Sequence, residues 1–329
     1  MGRTARAAGT AIAGFVFLSV WVVPSTADAS ATSVTKIGAW SKNWAWFDAA
    51  VGRMDVYRGY DGGFHYPTWD KVPANLAHPG GMNDYSFQLP PAGVAAGRYD
   101  TQLRTFIAST PKNIVLTNYH EPEQEIAAGQ FTFAQFRAAE AHLNSLVDAQ
   151  NARDGGSRKV SVILMVSTFT GFKARNPANY WPTAADGPGA PVDLISADVY
   201  AAPHATGTSG VPLGYTDGVG WKAPAGLMKP VLLFAKAHLT DWAVSELGYL
   251  EDVNNPLRKA QALRDAVAYA SAGKATPTAK AYRPALWISY WDSVGGRADW
   301  ELRYDNPPVP STSNTSNAAL AWKGLANQP

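Results

Sequence analysis

The chain is 329 residues long, is 46% hydrophobic and has a formal net charge of +2 at pH 7. It contains no cysteine, which excludes disulfide bonds, thiolate metal sites and a cysteine nucleophile. Lys and Arg are scattered along the sequence, so it lacks the basic patch that nucleic-acid-binding proteins present, and we expect no nucleic-acid partner. The 12 Trp and 14 Tyr residues are more than a core of this size needs and favour some exposed aromatic surfaces.

The first 29 residues have the features of a secretory signal peptide. Arg3 and Arg6 precede an apolar run over residues 11–23, and Ala27-Asp28-Ala29 supplies a small-residue cleavage site. The apolar run is short for a membrane span, so we expect no membrane association after cleavage. These features predict a secreted, extracellular protein with a short spacer at residues 30–34 and one domain at residues 35–329.

Short apolar segments alternate with longer amphipathic ones from residue 35 onward, as in repeated βα units. The predicted strands are Lys36–Trp40, Met54–Tyr57, Tyr85–Leu89, Asn113–Asn118, Val160–Val166, Val192–Tyr200, Trp242–Glu246 and Ala285–Tyr290. Four predicted helices are Tyr99–Ser109, Ala225–His238, Leu257–Ala272 and Ala318–Leu325. A fifth begins after the N-cap residue Thr132 and ends at Asp154-Gly155-Gly156. This alternation predicts the α/β class and a single (β/α)8 TIM barrel.

Two acids are predicted at the carboxyl ends of strands, where a barrel of this kind keeps its active site. Glu121 is expected to end the fourth strand and Glu246 the seventh. Two carboxylates at one barrel mouth are the minimum equipment for glycoside hydrolysis. A strand-end Glu can equally be a salt-bridge partner. Glu123 is the alternative acid if the fourth strand extends further, and Arg58 would either support Glu246 or form a structural ion pair.

The order of these acids resembles that of the retaining clan A glycoside hydrolases. His120-Glu121 is similar to glycoside hydrolase family 26, the group best known for β-mannanases, and Asp198-Val199-Tyr200 is similar to that family's Asp-x-Tyr motif. Trp291 is placed like the family's sugar-stacking Trp. The resemblance covers nearly all of residues 35–329 in order and spacing, through individually short motifs.

The resemblance implies a double-displacement mechanism that retains anomeric configuration. Glu246 would be the nucleophile and Glu121 the acid/base, with carboxyl groups about 5 to 5.5 Å apart. His120, Asp198, Tyr200 and Trp291 would bind or orient the substrate, and a hydrogen bond from Tyr200 would favour the charged form of Glu246. The expected partner is a β-linked polysaccharide or oligosaccharide, with no cofactor and a monomeric protein.

Two departures from the family pattern affect specificity. Family mannanases place a Trp five residues after the acid/base, where this chain has Ile126, and an Arg after the strand-eight Trp, where this chain has Asp292. We therefore expect a cleft that is more open on one side and less basic, and poor activity on plain mannan.

Other chemistries have little support in the sequence. His120-Glu121 begins like a zinc-protease helix, but Gln124 stands where the second His ligand is required, so no metal site is expected. No Gly-x-Ser-x-Gly elbow is present. The alternatives to an enzyme are a carbohydrate-binding barrel without turnover and an extracellular interaction protein, neither of which needs two acids in these positions.

Overall fold

The computed structural model describes residues 35–41, 44–61, 81–110, 113–156, 160–167, 176–201, 223–250, 257–272, 284–292, 294–295, 298–299, 302 and 316–326. All of them belong to one compact unit, Ser33–Pro329. The predicted signal peptide at residues 1–29 and the spacer at residues 30–34 lie outside the described residues.

Eight parallel strands form a closed barrel in sequence order. The first strand, β1, pairs with the last, β8, over six residues, from Lys36 opposite Trp287 to Ser41 opposite Asp292. This closure confirms the predicted single (β/α)8 barrel. The strands are β1 Lys36–Ser41, β2 Val56–Tyr60, β3 Met82–Phe87, β4 Ile114–Asn118, β5 Val160–Ser167, β6 Leu194–Ala201, β7 Asp241–Tyr249 and β8 Trp287–Asp292.

Helices occupy the connections between strands within the described ranges. They are α1 Trp44–Ala50, α2 Pro91–Ala95, α3 Asp100–Ser109, α4 Glu123–Ala127, α5 Phe133–Arg153, α6 Pro224–His238, α7 Arg258–Ser271 and α8 Asn317–Ala326. A 3-10 turn at Pro177–Asn179 and a two-stranded ribbon of β9 Val294–Gly295 and β10 Ala298–Asp299 complete the assignment. Among the helices in these ranges, none is long and apolar enough to cross a membrane.

The predicted helices are all present, and the helix after Thr132 is closed at its start by a reciprocal capping box with Gln135. Three short helices, α1, α2 and α4, are additional to the prediction. Each has five to seven residues. A segment of that length spans fewer than two helical turns and cannot display the 3.6-residue period on which the prediction depends.

The core has two layers, because side chains along a strand alternate between the barrel interior and the helix-facing side. The base of the interior is apolar and consists of Val56, Val115, Ile163, Met165, Leu194, Ala243 and Trp287. Polar and charged side chains occupy the interior above this base. Since the active sites of such barrels lie at the carboxyl ends of the strands, this gradient of polarity points toward the candidate site.

Several predicted strand boundaries are wrong in ways that concern the site. Glu121 does not end β4, which stops at Asn118, because Tyr119 and Glu121 have φ angles of 63° and 50° that a strand cannot accommodate. Glu246 lies inside β7 rather than at its end. Arg58 lies inside β2, and Trp291 belongs to β8 rather than following it.

Candidate active site

Glu246 points into the barrel because β7 contains a β-bulge. Val244 pairs with Ala197 of β6, but Glu246 pairs with the next residue, Asp198, so Ser245 is an extra residue on β7. The pairing with β8 has the same irregularity. Ser245 contacts Ser196 in the interior, with 2.7 Å between the two Oγ atoms, and Glu246 follows it on the same side. The bulge thus breaks the alternation and re-aims the carboxylate.

Two donors hold the Glu246 carboxyl group. Arg58 Nη2 donates to Oε1 at 3.1 Å, and the Tyr200 hydroxyl donates to Oε2 at 2.6 Å. Glu246 is only 6% exposed, and burial raises its pKa, while Arg58 and the Tyr200 hydrogen bond act in the opposite direction. Arg58 therefore contacts the predicted nucleophile directly, and Tyr200 makes the hydrogen bond that the resemblance implies.

Glu121 lies in the turn between β4 and α4 and faces the same group of acids. Burial raises its pKa to about 8, and the negative charges of Glu246 and Glu123 add to the shift. A hydrogen bond with Asp198 and the positive charge of Arg58 partly offset it. Near neutral pH Glu121 is accordingly protonated. Glu123, which begins α4, is itself 2% exposed and contributes to the site as a neighbouring charge.

Asp198 lies fully buried between the two glutamates. Burial raises its pKa well above the ordinary value, and the charges of Glu246 and Glu121 raise it further. Since it also hydrogen-bonds with Glu121, it shares in the protonation of that residue. This placement gives Asp198 contact with the acids, and its lack of exposed surface makes it a poor candidate for direct contact with a sugar.

His120 is neutral in this environment. Burial and the Arg58 charge lower its pKa to about 3. Its Nδ1 lies 2.9 Å from Ser86 Oγ, and its ring meets Tyr60 edge-on with 5.6 Å between centroids. His120 is half-buried beside Glu121. Its neutral imidazole can donate or accept a hydrogen bond there but provides no positive charge.

Three aromatic side chains form one wall of the site. Trp291 stacks on Trp40 with 4.1 Å between ring centroids and an interplanar angle of 10°, and Tyr60 lies 5.6 Å from Trp291. Trp40 and Trp291 are partly exposed, and Tyr60 is 38% exposed. Because one face of Trp291 is covered by Trp40, a sugar can stack only on its other face or across the edges of this aromatic wall.

The two departures from the family pattern have structural explanations. Asp292 is 4% exposed, accepts hydrogen bonds from Ser41 Oγ at 2.7 Å and from Leu302 N at 2.8 Å, and so fastens the segment after β8 to β1. It therefore adds little negative charge to the surface of the cleft. Ile126 packs against the hydrophobic core from α4.

Sequence reasoning missed Tyr60, Ser86 and Asp84. Tyr60 and Ser86 contact His120, and Asp84 lies fully buried in the barrel interior next to Arg58. Asp84 precedes the predicted third strand, Tyr85–Leu89, whereas β3 begins at Met82 and so includes it. Within the described part of the chain, no group of three or more His, Cys, Asp or Glu residues could hold a metal ion.

Comparison with known proteins identifies the fold. The chain is similar to a modular endo-β-1,4-mannanase of glycoside hydrolase family 26 from Cellulomonas fimi. The two are 13% identical, the match covers 90% of this chain and 71% of the mannanase, and the TM-score is 0.52. It is also similar to GH26C from Muricauda sp. MAR_2010_75, with 12% identity and a TM-score of 0.52. That match covers 91% of this chain and 86% of GH26C. A third similar structure is an endo-β-1,4-glucanase variant from Xanthomonas axonopodis pv. citri, with 11% identity and a TM-score of 0.50. That match covers 89% of this chain and 99% of the glucanase.

The chain has a β-glycan hydrolase-like fold. No protein-family model matches it, and no curated protein matches its sequence. At 11 to 13% identity the structural likeness defines the fold alone. The assignment of activity must therefore come from the geometry and charge of the site.

Proposed function

We propose that the protein is a secreted retaining glycoside hydrolase that acts on a β-linked polysaccharide, with Glu246 as nucleophile and Glu121 as acid/base. The observation that carries the proposal is the difference between the donors and charges that surround the two acids. Glu246 receives hydrogen bonds from Arg58 and Tyr200, whereas burial and neighbouring negative charges keep Glu121 protonated. A double displacement needs this pairing of an ionised and a protonated carboxyl group.

In the first step, Glu246 attacks the anomeric carbon as the bond to the leaving oxygen breaks. Glu121, whose pKa of about 8 keeps it protonated at neutral pH, gives its proton to that oxygen. The covalent glycosyl ester removes the negative charge of Glu246, so the pKa of Glu121 falls. In the second step Glu121 takes a proton from water, which attacks the anomeric carbon and releases Glu246.

The surrounding residues have roles that follow from their contacts. Tyr200 orients the attacking Glu246 oxygen, and Asp198 positions Glu121. Neutral His120 can exchange a hydrogen bond with the substrate or with Glu121. Trp291, in its stack with Trp40, offers the sugar an apolar face. The amino-terminal sequence at residues 1–29 supports secretion.

The same barrel could bind carbohydrate without turnover. A binding site needs aromatic surfaces and neutral hydrogen-bonding groups, but gains little from several buried acids around one arginine. Such a cluster is costly to bury and is characteristic of sites that move protons. The arrangement therefore favours an enzyme.

The test is to incubate the purified protein with β-mannan, xylan, β-glucan and galactan and to measure reducing ends and product configuration. We expect hydrolysis of at least one polymer with retention of configuration, and weak activity on plain mannan. Glu246→Gln, which keeps size and shape, is the matched inactive control. Binding to a polymer without turnover by the wild-type protein would establish the non-catalytic alternative, and inverted products would contradict the assigned roles.

A further inference from the structure

Arg58 lies between two acids of the barrel interior, one of which has no place in the double displacement. Arg58 on β2 is paired in register with Asp84 on β3, and both side chains are fully buried. On the other side, Arg58 donates to Glu246 on β7. Arg58 Nη1 donates to the carbonyl oxygen of Gly59, and Arg58 Nε and Asp84 Oδ1 are buried without a hydrogen-bond partner among the described residues, so Arg58 and Asp84 attract each other by charge rather than through a hydrogen bond.

Burial raises the pKa of Asp84, and the contacts of its carboxyl group oppose that shift by favouring the charged form. Trp287 Nε1 on β8 donates to its Oδ2 at 3.3 Å, and Ser245 hydrogen-bonds with it from the bulge of β7. Ser245 is in turn hydrogen-bonded to Ser196 on β6, which can supply the proton that leaves the Ser245 hydroxyl free to donate to Asp84. Donors that approach from two strands, together with the nearby Arg58 cation, stabilise the negative charge.

The electrostatic balance of Arg58 places Asp84 first among its partners. Burial opposes the Arg58 charge, but attraction to Asp84, and then to Glu246 and Asp198, outweighs it and raises the arginine pKa. The negative charge of Asp84 also raises the pKa of Glu246, against the lowering effects of Arg58 and Tyr200. Asp84 thus acts on the nucleophile twice, by direct repulsion and by competing for the same cation.

We propose that Asp84 is a positioning residue that holds the Arg58 guanidinium below Glu246 and sets the pH at which Glu246 becomes ionised. This inference rests on the proposed function in assigning the nucleophile to Glu246. Asp84 has no exposed surface and touches no substrate, so it acts through Arg58. The other charged or titratable groups around this cluster are Asp198, Glu121, Tyr200 and His120.

The first test is the pH dependence of kcat/KM for Asp84→Asn. Removal of the charge leaves Arg58 to Glu246 and Asp198 and ends the direct repulsion of Glu246, so we expect the acidic limb to move to lower pH by about one unit. We also expect kcat at neutral pH to fall on the order of tenfold with KM nearly unchanged, because the guanidinium is held less firmly. Glu140→Gln is the matched control, since Glu140 is another fully buried acid but lies on α5, outside the barrel.

Trp287→Phe provides a second variant in case Asp84→Asn does not fold. It keeps a smaller buried aromatic ring and removes the hydrogen bond to Asp84. Asp84 would then hold its proton to higher pH, so the acidic limb should move in the same direction by a smaller amount. An unmoved limb in either folded variant, or a limb shifted equally by Glu140→Gln, would overturn the proposal.

A titration that needs no substrate separates this inference from the proposed function. In protein labelled with 13C at the Asp and Glu carboxyl groups, the Glu246 resonance is identified by its loss in Glu246→Gln. We expect its pKa to be lower in Asp84→Asn than in the wild-type protein, and an equal pKa would refute the role of Asp84. If no polysaccharide were hydrolysed while the Glu246 pKa shifted as expected, the proposed activity would fail and the positioning role would stand.

Discussion

Two arginine–carboxylate pairs in this protein have nearly the same nitrogen–oxygen distance, but the pKa of the acid is shifted in opposite directions in the two pairs. Arg58 and Glu246 meet at 3.1 Å inside the barrel, and Arg137 of α5 and Asp186 meet at 3.0 Å near the surface. In the first pair one cation lies among several buried acids, and the pKa of Glu246 is raised. In the second, burial opposes the charge of Asp186, but hydrogen bonds from Thr183 and Arg137 outweigh it and lower its pKa.

Under the proposed function, the difference separates a pair that serves chemistry from a pair that serves structure. Asp186 accepts hydrogen bonds from three donors, namely Arg137 Nε, which is shared by both carboxylate oxygens, and the backbone N and hydroxyl of Thr183, and this fastens the segment before β6 to α5. Glu246 has two donors and nearby acids that compete for one of them. Because Glu246 accepts fewer hydrogen bonds than Asp186, its carboxylate retains the capacity to form a new bond.

The strongest test of this contrast is to neutralise each acid by an isosteric substitution. Glu246→Gln should reduce turnover of every substrate by at least about a thousandfold, because the attacking oxygen is lost. Asp186→Asn, the matched control, should leave kcat/KM within about twofold. Steady-state kinetics on the best polymer of the panel gives the comparison. Substantial activity in Glu246→Gln would remove Glu246 from the nucleophile's role.

Glu121→Ala should lower turnover of natural polymers by about 10²- to 10⁴-fold, the usual contribution of a positioned acid. Aryl glycosides with an activated leaving group need no proton in the first step, so formation of the glycosyl-enzyme should be largely spared. A pre-steady-state burst of the aryl product measures that step. The same loss on both substrate types would contradict the acid/base assignment of Glu121 and make Glu123 the candidate acid.

Tyr200→Phe should raise the pKa of Glu246 further, because the hydrogen bond that it removes favours the charged form. The acidic limb of kcat/KM should move to higher pH, and kcat should fall about tenfold or more, since hydrogen bonds to charged groups contribute about 1.5 to 3 kcal/mol. This shift is opposite in sign to that expected for Asp84→Asn. If both variants moved the limb in one direction, loosened packing would explain them better than charge.

Asp186→Asn should destabilise the fold by about 1 kcal/mol at pH 7, after allowance for solvent screening of this partly exposed pair. The folded-state pKa of Asp186 is lowered, so its stabilisation is complete above the unfolded-state pKa of about 4 and is lost as pH falls through the folded value. Urea unfolding of both proteins between pH 7 and pH 2 measures this. A stability difference that grew toward low pH would be incompatible with the lowered pKa.

Trp291→Ala should raise KM several-fold and change kcat little, because a stacking contact contributes on the order of 1 kcal/mol to binding. Trp291→Phe, which preserves an aromatic face, should recover much of the affinity. Unchanged kinetics in Trp291→Ala would mean that the sugar stacks elsewhere, for example on Tyr60 or the exposed part of Trp40.

The sequence was sufficient for the barrel, because the alternation of strands and helices is a local pattern, and the roles assigned to the site residues stay predictions. The β7 segment could be recognised from its apolar residues, and Glu246 from an acid within them. The orientation of Glu246 could not be predicted from the sequence, because the bulge at Ser245 arises from pairing with two other strands. The buried state of Asp84 likewise depends on β2 and β8, and the coverage of Trp291 by Trp40 depends on barrel closure.

The seam between β1 and β8 has a consequence for how the protein acquires its site. Ser41 and Asp292 are 251 positions apart in the sequence, and Arg58 and Glu246 are 188 apart. Contacts of such long range are expensive in chain entropy and form late. A fragment that ends before β8 lacks Trp291, and a fragment that begins after β2 lacks Arg58. A newly made chain should therefore gain the whole arrangement in one late step, when its last strand closes the ring.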